Sequence, residues 1–260
     1  MKECLKLLKR LDFDLVALQE WRRLDPKDKR VIWQDHDPNQ GVAVVSTQAS
    51  RQMGPDGESR SVIWRGTNPD LGVAVISKEG APQIKFVKIS FLHPTIVPVI
   101  VDAPEPFVFV GVWTHPEPSY AKVAWEAMSA CARAADKLQL PMVAAGDFNI
   151  WPGLKKKADK NASLEFLKCV ESKLGLLSAY HHHYNRKAGE ERHATHYFQF
   201  KKARVFHLDY CFVPKDWRKK LITWEVGPFM KWCKPKHSDH CPMTVEIRGS
   251  TNREIEARWI

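Results

Sequence analysis

The chain has no apolar run near the roughly 20 residues needed to span a bilayer, so no membrane span is expected. It has no Cys-x-x-Cys pair. Its cysteines (Cys4, Cys131, Cys169, Cys211, Cys233, Cys241) are scattered. That argues against a zinc cluster or a dense disulfide framework, and for reduced thiols in a cytoplasm. The start, Met1-Lys2-Glu3-Cys4-Leu5, lacks a basic region followed by a long apolar stretch and a small-residue cleavage site, so no secretory leader is read. No repeat unit is present: Gly41–Ser46 and Gly72–Ser77 are alike, but their surroundings do not match. No linker divides the chain, and no obligate protein partner is expected.

What is present is a globular composition. The chain has 260 residues, 44% hydrophobic and 27% charged, enough to bury a large core as a single domain. The formal charge is +10, with basic residues crowded at Lys155–Lys157, Lys201–Lys202, Arg218–Lys220 and Lys231–Lys236. A polyanionic partner such as nucleic acid is one reading of this excess. A solvated basic surface is the other. Trp21, Trp151, Trp217 and Trp232 lie near these charges and are candidates either for stacking on bases or for packing.

Hydrophobic periodicity predicts a helix over residues 2–11, where Cys4, Leu5, Leu7, Leu8 and Leu11 recur at helical spacing, then a buried strand Leu15–Leu18 leading to Gln19-Glu20. Strands are expected at 41–46, 72–77, 84–90, 96–101 and 107–114, with a polar loop at 48–60. Ser119 is placed to cap a helix from Tyr120 to about Lys137. A second helix is expected near Ser163–Leu174, ended by Gly175. A polar, His-rich loop is expected at 178–194 and strands at 195–200, 205–213, 222–226 and 242–247. The fold class is α+β, with sheets packed face to face and helices outside. The domain spans 1–248, and 249–260 reads as a peripheral tail.

The richest segment is Pro141-Met142-Val143-Ala144-Ala145-Gly146-Asp147-Phe148-Asn149. Here an apolar run ends abruptly in Gly-Asp-x-Asn, which delivers a carboxylate and a carboxamide to the rim of a sheet. Alternate residues of a strand share a face, so Asp147 and Asn149 project together. Taken alone, the pattern is equally that of a turn-forming Asp-x-Asn. Far downstream, His207-Leu208-Asp209-Tyr210 and Ser238-Asp239-His240 also end or interrupt apolar runs. Acidic and amide groups with a histidine at strand ends point to a metal-assisted hydrolase.

With Leu18-Gln19-Glu20 and Thr114-His115 added, the set resembles the endonuclease/exonuclease/phosphatase superfamily, the deoxyribonuclease I-like fold, in order and spacing over about residues 5–247. The resemblance implies a four-layered α/β sandwich of two packed mixed sheets flanked by helices, and metal-dependent cleavage of phosphoester bonds. It makes Glu20 a ligand of Mg²⁺ or Mn²⁺, with Asp239 helping to hold the ion. It makes Asp147 the group that orients and deprotonates the attacking water, and Asn149 the holder of that water or of a phosphate oxygen. His240 contacts the scissile phosphate, and Asp209 orients it. His115 either protonates the leaving oxygen or only contacts the phosphate. The His181-His182-His183 run, taken with His193, His196 and His207, tempts a transition-metal reading but fits no standard zinc spacing. Its loop reads as bordering the site, where Arg186, Lys187, Arg192 and His193 touch substrate phosphates. The abasic-site branch carries Tyr-x-Pro-Asn after the strand at 107–114, where this chain has His115-Pro116-Glu117-Pro118. The family also opens with a strand bearing an Asn before the first helix. Here Met1 starts directly in the helix, so a missing strand, exposed strand edges and a truncated or misplaced start are expected. The expected activity is a nuclease acting on DNA or RNA. The competing readings are a phosphatase or phospholipase acting on a small or lipid phosphoester, and an inactive nucleic-acid-binding relative.

Overall fold

The computed structural model describes residues 14–21, 32–33, 43–44, 61–68, 71–77, 82–249 and 254–259. The expected helix at 2–11 and loop at 48–60 lie outside them. In chain order the strands are β1 (Leu15–Trp21), β2 (Ile32–Trp33), β3 (Ala43–Val44), β4 (Ser61–Asn68), β5 (Leu71–Ser77), β6 (Gln83–Phe86), β7 (Ile96–Asp102) and β8 (Phe107–Trp113). Helix α1 (Tyr120–Leu138), β9 (Met142–Asp147), helix α2 (Lys157–Lys173), β10 (Leu176–Ser178) and helix α3 (Ala179–Tyr184) follow. The chain closes with β11 (His196–Tyr197), β12 (Val205–Phe206), β13 (Asp209–Pro214), β14 (Leu221–Val226), helix α4 (Phe229–Trp232), β15 (Met243–Arg248) and β16 (Glu254–Trp259).

Two six-stranded sheets form, in the orders β14-β15-β16-β1-β5-β4 and β10-β13-β9-β8-β7-β6. The second explains its own sequences. Strands β8 and β9 are buried at every position, so they read as unbroken apolar runs rather than alternating ones. The alternation survives in where the side chains go. Phe107, Phe109, Trp113, Val143 and Ala145 enter the core between the sheets, with Cys211 and Val213 of β13. Val108, Val110, Val112, Met142 and Ala144 face the other way, with Tyr210 and Phe212, against α1 and α2. Gly111 belongs to the inter-sheet face. A Cβ there would lie 3.0 Å from Val75 Cγ2 and 3.2 Å from Val73 Cγ1, so its missing side chain lets the sheets approach.

Helix α1 begins where Ser119 accepts a hydrogen bond from the Lys122 backbone N–H. It buries Val123, Ala124, Ala127, Met128, Cys131 and Ala135, one face at helical spacing. Helix α2 buries Phe166, Leu167 and Val170 and is followed by Gly175 at φ +66°, as the stop signal predicted. It starts at Lys157 rather than near Ser163, because its first turns are exposed and carry no apolar signal.

The structure departs from expectation in several elements. Strand β4 was not legible ahead of time. Residues 178–194 are not all loop: Ser178 caps the short helix α3, which carries the histidine run. The predicted strand at 205–213 breaks at His207-Leu208, where Thr195 intervenes, and the one at 195–200 is strand for only two residues. The segment read as a peripheral tail contributes β16, which lies between β15 and β1, antiparallel to the first and parallel to the second. Strand β1 is therefore paired on both sides, with β16 and β5, rather than presenting an open edge.

Candidate active site

Strand parity carries the carboxylates to the rim of the inter-sheet layer. Asp147 follows Val143 and Ala145 at period two, and Asp209 shares parity with Cys211 and Val213. The antiparallel register sets Asp209 directly opposite Asp147. Gly146 precedes Asp147 at φ +139°. A Cβ there would meet the Val112 carbonyl oxygen at 2.1 Å, so only glycine fits the bend. Phe148 is fully buried against Phe166, Tyr210 and Phe212, which anchors the turn from the helical side. The Thr114 hydroxyl donates to the Phe148 carbonyl, and Phe148 N–H donates to Leu208 O at 3.0 Å.

Beyond the strand, Asn149 takes φ +51°. Its backbone N–H donates to Asp147 Oδ1 at 2.9 Å and its side-chain amide to Oδ2 at 2.7 Å. The turn-forming reading of Asp-x-Asn and the functional one thus describe the same geometry: the turn aims the carboxylate and the amide together.

His240 reaches this rim through a single antiparallel bridge with His196. Its Nδ1 lies 2.9 Å from Asp209 Oδ2, and its Nε2 lies 4.0 Å from Asp147 Oδ2. Burial opposes charge on the ring, but the carboxylates of Asp209, Asp147 and Asp239 outweigh it and push its pKa up to about 10. Burial likewise opposes the Asp209 anion, yet the facing His240 charge and hydrogen bond hold that carboxyl below its ordinary range. Asp209–His240 is therefore a carboxylate–imidazolium pair at neutral pH.

Sequence reasoning missed Thr195 here and set His196 aside among the histidines that fit no zinc spacing. Thr195 is fully buried, and its hydroxyl accepts from the backbone N–H groups of Leu208 (3.0 Å) and Asp209 (3.1 Å), fixing the start of β13. His196 Nε2 lies 3.3 Å from Asp239 Oδ2, and its ring centroid is 4.5 Å from that of His240. The hydrogen bond from His196 keeps the Asp239 carboxyl below its ordinary pKa. No local signal marks either residue, because their partners lie more than ten positions away in sequence.

The other predicted residues fall as follows. Glu20 is near the end of β1, just past Gln19, whose amide nitrogen would lie 2.8 Å from a Cβ on Gly146; the Glu20 side chain lies outside the described residues. That Gln19 nitrogen is buried, with no hydrogen-bond partner among the described residues. His115 follows β8 and packs on Trp113 and His93, at ring centroid distances of 4.5 and 5.0 Å. Arg186 does not line the cavity beside the Asp147–His240 cluster. Arg186 lines a separate groove beside α2, and the Arg192 backbone N–H donates to the Tyr180 hydroxyl at 2.8 Å. His181 of the histidine run is paired at 2.8 Å with Glu191, whose carboxylate is sealed from solvent. The tryptophans split as well: Trp232 is core, Trp151 donates to Glu191 at 3.0 Å, and Trp217 packs edge-on against Phe107.

A cavity of about 580 Å³ opens beside Asn149 and His196, walled by Tyr120, Phe198 and Phe206. His196, Asp239 and His240 offer ligand atoms within 4.8 Å of one another. Asp209 and Asp239 each engage one nitrogen of these two rings, which leaves His240 Nε2 and His196 Nδ1 as the remaining ring nitrogens beside the Asp239 carboxylate.

The chain belongs to the Endonuclease/Exonuclease/phosphatase family, whose model matches residues 1–229. The family match makes the chain a hydrolase acting on phosphoesters. The match stops before Ser238-Asp239-His240, which the tertiary structure returns to the site. The fold is similar to that of a 3′-5′ exonuclease from Neisseria meningitidis, with 19% identity and a TM-score of 0.59, covering 95% of this chain and 93% of that one. A Neisseria 3′ phosphatase bound to a product DNA hairpin aligns over the same shares at 19% identity and a TM-score of 0.60. An AP endonuclease from Archaeoglobus fulgidus aligns at 14% identity and a TM-score of 0.57, covering 92% of this chain and 90% of that one. No curated protein shows significant sequence similarity to the chain.

Proposed function

We propose that the protein is a divalent-metal-dependent phosphodiesterase of the cytoplasm, a nuclease that hydrolyses DNA or RNA by in-line attack of water. The observation that carries this reading is the pairing of Asp147–Asn149 with Asp209–His240 across one strand register. The basic surface supports nucleic acid over a small or lipid phosphoester. Among the described residues, no helix is long and apolar enough to cross a membrane.

Asp147 takes a proton from the attacking water, whose oxygen Asn149 helps to place. The imidazolium of His240, held by Asp209, donates from Nε2 to a non-bridging phosphate oxygen, where negative charge grows in the transition state. His115 supplies the proton to the leaving oxygen. Glu20 and Asp239 would hold Mg²⁺ or Mn²⁺, which would offset charge on the phosphate and the leaving group.

Asp147→Ala or His240→Ala is expected to abolish Mg²⁺-dependent cleavage of plasmid DNA and single-stranded RNA. Wild-type rates in both variants would overturn the assignment. Faster turnover of a phospholipid or a small phosphomonoester than of either nucleic acid would replace nuclease with phosphatase or phospholipase.

A further inference from the structure

A second concave surface lies on the helical side of the same sheet. It is a groove of about 1150 Å³ between α2, edge strand β10, helix α3 and the 3-10 turn Lys215–Lys219. Its floor is apolar, made by Leu167, Leu177 and Phe212. Its walls carry Lys168, Arg186, Lys187, Lys215, Arg218 and Lys219, against only Glu171 and Asp216. Lys215 spends part of its charge on Glu171, at 3.7 Å. Among the described residues no ion pair involves the other five.

These cations come from separate elements, so the groove is not one solvated run of lysines. His181–Glu191 and the His182 Nε2 contact with Arg218 O, at 3.1 Å, fix α3 to its neighbours and set the width of the groove. None of its lining residues lines the cavity beside Asn149 and His196. Strand β10 pairs with Phe212, Val213 and Pro214, the half of β13 away from Asp209. The groove is therefore a few residues further along the same strand than the chemistry.

We infer that this groove is a second nucleic-acid-binding site, which takes the phosphodiester backbone of a strand whose remote part lies at the Asp147–His240 cluster. Uncompensated cations facing one concavity attract a linear polyanion, since each phosphate they neutralise releases counterions. The apolar floor accepts sugar and base surface between the phosphates. This rests on the nuclease reading for its ligand class, but not on turnover.

The test is fluorescence anisotropy of a fluorescein-labelled DNA duplex with the full chain in EDTA, where no cleavage is needed. The variant is Arg218→Glu/Lys219→Glu. The control, Lys85→Glu/Lys88→Glu, makes the same charge change in and just after β6, at the opposite edge of the same sheet. The groove variant is expected to bind at least about tenfold more weakly at low salt, and to lose about 1.8 from the slope of log affinity against log salt. The control is expected to stay within about twofold, and both variants to keep the wild-type circular dichroism spectrum and melting midpoint. Equal losses in both variants would reduce the effect to net charge and overturn the site. Unchanged DNA binding, with loss of binding to phosphatidylserine vesicles instead, would overturn it in favour of a membrane surface. A protein that binds DNA through the groove yet never cleaves keeps the site and sinks the nuclease reading.

Discussion

Two histidines of this protein, the part-buried His240 and the buried His207, stand in opposite ionisation states. Burial lowers the pKa of both rings. His240 faces the carboxylates of Asp209, Asp147 and Asp239, which reverse the penalty and raise it to about 10. His207 is packed among the rings of Tyr180, Tyr210 and Trp224, at centroid distances of 4.6, 5.0 and 5.9 Å, and it drops to about 4. Its Nδ1–H donates to the His193 carbonyl at 2.8 Å, as a neutral ring does. The buried Glu191 carboxylate pulls His207 upward but does not prevail. The lesson is that burial alone does not say what a histidine is for. Partners of opposite charge decide whether it carries a proton into chemistry or fills a core.

The comparison breaks most visibly at Asp209. Asp209→Asn removes the largest upward pull on His240. Phosphodiester hydrolysis is expected to fall on the order of 10²–10⁴-fold. In the metal-free variant the His240 ring, followed by NMR, is expected to titrate well below 10. An unchanged titration would mean that Asp209 does not hold the charge.

The next effect is on stability. His207 has a folded pKa near 4, below its ordinary 6.5, so the unfolded chain binds the proton more readily. Stability is therefore full above about pH 6.5 and is lost as pH falls towards 4, by up to about 3 kcal/mol. His207→Phe is expected to remove that component, so its urea midpoint falls less between pH 7 and pH 4.5 than the wild-type midpoint does. Parallel pH profiles for the two proteins would show that His207 is not held neutral.

The smallest effect sharpens the aromatic side of the comparison. The Tyr210 hydroxyl is buried, with no hydrogen-bond partner among the described residues. Tyr210→Phe is expected to leave stability unchanged or to raise it by up to about 1 kcal/mol in urea unfolding, with no change in cleavage. A loss above about 2 kcal/mol would reveal a partner for that oxygen.

Asp147 and Asn149 do come together, but through the local Asp-x-Asn turn rather than strand parity, since β9 ends at Asp147 and Asn149 takes φ +51°. Ser119 and Gly175 marked helix ends by the same local logic. The bulk of both sheets was legible for a similar reason: apolar runs must be buried. What escaped was non-local. His181 looked like part of a polar loop until Glu191 was found against it. Residues 254–259 alternate charged and apolar, a strand pattern passed over in reading 249–260 as a tail, and only the fold sets them between β15 and β1. Arg186 was expected at the phosphate and lies in the groove along α2.

By itself, then, the order of residues determined the α+β class and the turn that carries Asp147 and Asn149, since these follow from periodicity and short-range turn chemistry, and the family through the resemblance of its motifs in order and spacing. The tertiary structure alone decided that Asp209 faces Asp147, that His196 holds Asp239, and that His240 is charged while His207 is not. Those outcomes depend on distances between groups far apart in the chain and on how little water reaches them, and neither quantity exists until the sheets have packed.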